Sequence, residues 1–149
     1  MKRIVYIFCL LLLLAGCVEQ APLRPVMRFD DTPVTLTQGE LVLRGRLTFA
    51  GVDGVRFIAE SPEPVRGFVF SLAQGEYRLS RGEVSLQPAG TQGCVRAFLN
   101  AVRAFDLEEL TYANGCWQLA GEGVLLAADD TGASLAMWDE AAGWRAEFG

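Results

Sequence analysis

Two hydrophobic periods follow one another along this chain, and the switches between them mark out its elements. Between residues 40 and 50, Leu41, Leu43, Leu47 and Phe49 fall on one side and Glu40, Arg44, Arg46 and Thr48 on the other. A period of two belongs to a strand buried on one face. Gly51-Val52-Asp53-Gly54 reads as a hairpin turn, after which Val55, Phe57 and Ala59 carry the apolar face back. Ser61-Pro62-Glu63-Pro64 interrupts the ladder, because neither proline has an N–H to donate. Phe68, Phe70 and Leu72 alternate again, Gln74-Gly75-Glu76 turns, residues 77–80 return, and Val84-Ser85-Leu86 adds a short strand. The period then changes. Val95, Phe98, Leu99, Val102 and Phe105 have the spacing of one helical stripe, with Arg96, Asn100 and Arg103 opposite, which predicts a helix over residues 94–105. From Leu110 the strand pattern resumes. Asn114-Gly115 favours a type I′ hairpin, and residues 116–119, 124–128, 133–138 and 144–148 complete a meander.

Strands, then one helix, then strands predict an α+β domain. Its sheet is expected to be curved, antiparallel and open, half-barrel-like, with at least seven strands wrapped on one main helix. Two phenylalanines within about three helical turns need a large apolar surface to cover them, and the sheet supplies it.

The N-terminus has a different character. Lys2-Arg3 precedes an eleven-residue apolar run at 4–14, and the run closes on Leu14-Ala15-Gly16-Cys17. As a helix the run would be about 16 Å long, short of a hydrocarbon core of roughly 30 Å, so it reads as an export signal and not a span. With cysteine directly after Ala-Gly, it resembles the bacterial lipoprotein signal and its lipobox. The resemblance implies that the Cys17 thiol takes a diacylglyceryl group and that cleavage leaves Cys17 as the first mature residue. Acyl chains such as palmitate would then hold the protein on the extracytoplasmic face of an inner or outer membrane. The expected division is a signal at 1–16, a lipidated N-terminus and tether at 17–31, extended by Pro22 and Pro25, and a β-rich domain at 32–149.

Composition narrows the chemistry. The signal holds the only lysine, so the mature chain carries eleven arginines, eighteen acids and no histidine, a formal charge of −7. That sign argues against nucleic acid and against electrostatic attraction to anionic lipid. Without imidazole or mature lysine there is no His base, His-ligated metal or Schiff base, so neither catalysis nor a cofactor is expected. Asp129-Asp130-Thr131-Gly132 lacks the alternating acids and distant glutamate of a calcium loop and reads as a turn, leaving no metal site. Adjacent Glu108 and Glu109 diverge on any regular element and make no catalytic pair. Arg44 and Arg46, on the face of Glu40, suit cross-strand ion pairing. Once Cys9 leaves with the signal and Cys17 is lipidated, Cys94 and Cys116 remain. A disulfide between them is expected, closing a loop of about 22 residues for about 3.4 kcal/mol; two buried thiols are the alternative.

A proline pair after an exposed strand, then Gly67-Phe68 and Gly75-Glu76-Tyr77, the helix after Leu86 and the closing meander give a layout similar to the lipoprotein-carrier family. That family comprises a periplasmic carrier and its outer-membrane receptor, each an open β half-barrel around helices. The likeness covers residues 32–148. The chain is shorter than the family pattern and has no clear N-terminal helix before its first strands. The resemblance implies a non-catalytic protein that takes an amphipathic or lipid ligand in its concave sheet face. Phe68, Phe70, Phe98 and Phe105 are the candidates for that face, although the aromatic set suits a packed core equally well. The alternative function is an envelope adaptor that presents the sheet to another surface protein.

The lipobox reading has a direct check. Cys17→Ser removes the acyl acceptor, so metabolic labelling with an alkyne fatty acid tags the wild-type protein and not the variant. Equal labelling of both overturns lipidation at this residue.

Overall fold

The computed structural model of the chain describes residues 22–27, 29–49, 54–86, 93–120 and 123–149. The signal, Cys17 and the turn expected at 51–53 lie outside the described residues. The elements run β1 (Thr32–Gln38), β2 (Leu41–Phe49), β3 (Gly54–Ser61), a 3-10 turn at Glu63–Val65, β4 (Val69–Ala73), β5 (Glu76–Arg81) and β6 (Val84–Leu86). They continue with α1 (Cys94–Leu107), β7 (Leu110–Ala113), β8 (Cys116–Leu119), β9 (Val124–Ala128), β10 (Ser134–Asp139) and β11 (Trp144–Phe148). All eleven strands belong to one open antiparallel sheet of order β6-β5-β4-β3-β2-β1-β11-β10-β9-β8-β7. The α+β architecture expected from the two periods is therefore present, with more strands than the minimum of seven.

Neighbouring strands are consecutive in sequence except at one place. There β1 pairs with β11, from Val34 opposite Phe148 to Gln38 opposite Trp144. β6 and β7 are the two outer edges of the sheet, and α1 lies in the connection between them. The chain thus passes from one edge to the other by way of the helix, which packs against β1, β3, β4 and β11. β1 is the strand that the hydrophobic pattern did not single out. Pro33, at its second position, accepts a hydrogen bond through its carbonyl from the Gly149 amide, at 3.1 Å. A proline near the start of a strand removes one donor without breaking the ladder.

Local turn chemistry agrees with the hairpins. Asn114 and Gly115 have φ of 53° and 79°, and Gln74 and Gly75 have 51° and 78°, the paired left-handed conformation of a type I′ turn. The segment at 129–132 is a turn, as its composition indicates. The Asp129 carboxylate accepts from Thr131 Oγ1 at 2.6 Å, the Thr131 amide at 2.8 Å and the Ala133 amide at 3.0 Å. These bonds, led by the Thr131 hydroxyl, hold its pKa below the usual carboxylate range. They stabilise the turn while Asp129 is ionised and weaken as pH falls through that lowered value.

The core lies between α1 and one face of the sheet. Cys94, Val95, Phe98, Leu99, Val102 and Phe105 are buried on the helix, and Leu36, Leu43, Leu47, Val55, Phe57, Leu119, Leu126 and Met137 on the strands. Phe98 is central. Its ring centroid lies 6.4 Å from Phe57, 6.0 Å from Trp144 and 6.1 Å from Phe148, so it touches both halves of the sheet. The Nε1 atoms of Trp117 and Trp144 are buried without a partner among the described residues. Each costs about 1–3 kcal/mol, which burial of an indole, some 4–6 kcal/mol, outweighs.

The segment before β1 is docked on this core. Met27 and Phe29 are buried, and Phe29 stacks on Phe148 at 5.0 Å and on Phe49 at 5.9 Å. The Val26 amide donates to the Gly132 carbonyl at 3.1 Å, and Arg24 Nη2 donates to the Glu108 carbonyl at the C-terminal cap of α1, at 2.9 Å. The proline-rich composition that suggests an extended tether hides two apolar anchors that dock it. On the outer face, Arg46 pairs with Glu60 at 3.0 Å and with Asp31 at 2.9 Å. This is the expected cross-strand pairing with different acids, and such exposed pairs contribute at most about 1 kcal/mol.

Two substitutions test this packing. The β2–β3 ladder shifts register between Arg44 and Gly45, where Glu60 of β3 is the extra residue, and a Cβ on Gly45 would collide with the Ile58 carbonyl oxygen and lie 2.8 Å from the Phe57 ring. Gly45→Ala is expected to lower unfolding free energy by about 1–3 kcal/mol, since neither neighbour is free to yield. Phe98→Ala should cost about 3–5 kcal/mol through the cavity it leaves. Urea unfolding followed by tryptophan fluorescence measures both, and midpoints equal to wild type would contradict this account of the core.

Candidate functional site

The helix does not cover the whole concave face. At its N-terminal end an open groove of about 340 Å³ remains between the first turn of α1 and strands β2, β4 and β5. Its walls are Leu41 and Leu43 of β2, Val65 of the 3-10 turn, Phe70 of β4, Tyr77 and Leu79 of β5, and Cys94 and Val95 of α1; Gln38 and Gly93 complete the rim. The alternation read from the sequence puts these strand residues on one face. Among the described residues they border the start of α1 without being sealed by it. Of the depressions of similar size elsewhere, one has Arg44, Glu60 and Glu147 in its walls and another Arg56, Glu76 and Arg78, while one between Phe29 and residues 131–134 has no charge but is lined largely by Thr, Ser and Gly. This groove has no acid in its lining. Its volume lies at the small end of the roughly 300–1,000 Å³ typical of small-molecule sites.

Few polar groups border it. The Gln38 amide is engaged, donating to the Ala142 carbonyl at 3.0 Å. Burial, with the neighbouring Cys94, pushes the Tyr77 hydroxyl up to about 12, so it stays a neutral donor. Burial also raises the Cys94 thiol above its ordinary value, which keeps it protonated and weakly nucleophilic. The Arg96 guanidinium lies over the Tyr77 ring, 5.7 Å from its centroid. Gly93 caps α1 without a side-chain hydrogen bond, and the first turn holds no acidic residue. Chemically, the groove offers apolar contact along its length and a neutral donor in Tyr77, with the Arg96 cation outside its lining but stacked on that ring.

Of the four phenylalanines expected to form a ligand face, the structure brings only Phe70 to the groove. Phe98 and Phe105 are 0% and 1% exposed and belong to the packed core. Phe68 is half-buried at the start of β4 beneath the Arg81 guanidinium, 5.2 Å from its ring centroid. The two helical residues share the sheet-facing stripe, and a helix lying flat on the sheet seals exactly that stripe from solvent. Sequence reasoning missed Leu41, Leu43, Val65, Tyr77, Leu79 and Val95. The signal available for the strand members was their shared alternation; nothing local showed where the helix would begin to cover them.

Cys94 and Cys116, the pair expected to bridge, are free thiols in this structure. Cys94 faces the groove with β4 and β5, whereas Cys116 starts β8 opposite Ala113 of β7, in the other half of the sheet. Docking of the helix start on the first half carries Cys94 away from that hairpin. No group of three or more His, Cys, Asp or Glu able to hold a metal occurs among the described residues, and no described helix is long and apolar enough to cross a membrane. In comparisons with known proteins, no family model matches the chain, and neither a curated protein nor a solved structure matches it.

Proposed function

We propose that this protein is a lipid-anchored, extracytoplasmic binding protein without catalytic activity, and that its ligand is an amphipathic or lipid molecule whose apolar part enters the groove. The observation that supports the reading is the open apolar groove itself, walled by Leu41, Leu43, Phe70, Tyr77 and Leu79 and continuous with an otherwise filled core. Filling it removes from water surface that the fold leaves exposed, about 0.8 kcal/mol for each methylene buried. The space suits one chain and not two. Acyl chains on Cys17 would keep the body at the membrane surface, where such ligands are concentrated. Nothing in the reading requires a covalent step, which accords with a mature chain lacking histidine and lysine.

The experiment uses the full chain in nanodiscs of zwitterionic lipid and a long-chain fatty alcohol carrying a diazirine. Photolysis is expected to label peptides of β5 and of the first turn of α1 saturably. Leu41 is 44% exposed at the groove mouth, so Leu41→Gln changes the lining at little cost to the fold. It should weaken labelling about fivefold, the equivalent of about 1 kcal/mol, with an unchanged melting temperature. Labelling that never saturates, or that ignores Leu41→Gln, rejects the groove as a ligand site and leaves the envelope adaptor as the better reading.

A further inference from the structure

Resting on the groove reading above, we infer that the ligand is an anionic single-chain amphiphile, and that Arg96 binds its head group while the chain lies in the groove. Arg96 is half-buried and sits in the first turn of α1. Its guanidinium is placed over Tyr77, whose ring is itself a wall of the groove. No carboxylate pairs with it among the described residues, as is also true of Arg24, Arg44, Arg56 and Arg81, but of these arginines Arg96 is the one stacked on a wall of the groove.

Helix electrostatics give Arg96 no reason to be there. A cation in a first turn opposes the macrodipole, at a cost of about 0.3–1 kcal/mol, and the more usual acidic residue is missing from that turn. Stacking on Tyr77 offsets part of this and also fixes the guanidinium near the groove. Partial burial strengthens its attraction for an anion, since solvent screens it less. The nearest acids along the chain from groove residues do not compete strongly. Glu63 pairs with Arg66 at 3.1 Å, Glu76 pairs with Arg78 at 2.6 Å, and Glu40 is an exposed turn residue. Tyr77 is un-ionised at any physiological pH and adds a donor without adding negative charge. An arginine meets a carboxylate or phosphate through two parallel N–H···O bonds, which specifies head-group charge as the groove specifies the chain.

The test adds one probe to the nanodisc experiment: a diazirine fatty carboxylate matched in length to the fatty alcohol, at a pH where it is ionised. Wild-type protein is expected to label with the carboxylate about tenfold more strongly than with the alcohol. Arg96→Gln should abolish this preference while the alcohol probe still labels, and Arg96→Lys should restore part of it. Equal labelling by the two probes in the wild type, or a preference that survives in Arg96→Gln, overturns the role of Arg96 while alcohol labelling keeps the groove reading intact. If neither probe labels the groove, both readings fall together.

Discussion

The pairing of β1 with β11 is the interaction on which the rest of this structure depends. Nine of the ten connections between successive strands join neighbours in the sheet and the tenth runs through the helix, so the local pairs alone would give two separate meanders. Joining strands more than a hundred residues apart in sequence turns them into one sheet, and that closure has to be stabilised by something other than its own ladder. The helix supplies this. Phe98 rests on Phe57 from the first meander and on Trp144 and Phe148 from the second, so a single ring bridges the seam. Phe29, docked on Phe49 and Phe148, covers the same seam from the N-terminal side.

The groove follows from how that seam is covered. A helix of fourteen residues is about 21 Å long, and centring it on β1, β3, β4 and β11 leaves the far part of the first meander uncovered. Tyr77 and Leu79 on β5 remain at the margin as a result, half-buried against the first turn of α1. Stability and a binding surface thus come from the same placement: the residues that hold the seam are sealed, and those beyond the helix start stay open. The N-terminal segment docks at the other end, with Arg24 on the Glu108 carbonyl. Chain attachment and groove are therefore separated by about the length of the helix.

Much of this was legible in the sequence, for reasons specific to each element. The helix was visible because five apolar residues between Val95 and Phe105 share one stripe, and the hairpin at Asn114-Gly115 because that dipeptide tolerates φ > 0 at both positions. β1 was obscured by Pro33, and the burial of Met27 and Phe29 by the prolines before them. Neither the β1–β11 pairing nor the separation of Cys94 from Cys116 has a local signature, because both depend on where the helix docks. The same limit explains the aromatic residues. Alternation put Phe57 and Phe70 on one face, but only the helix position decides that Phe57 is sealed and Phe70 borders the groove.

The seam also fixes what the end of the chain does. In most sheets the last strand is an edge and its loss trims the fold, but here residues 144–148 lie in the middle. Removing them would expose β1 and β10 as two new edges, strip Phe98 of two of its three aromatic neighbours and leave the halves tied only through the helix. During synthesis the consequence is temporal: the centre of the sheet cannot form until β11 is available. Until then the nascent chain remains an incomplete, non-native assembly.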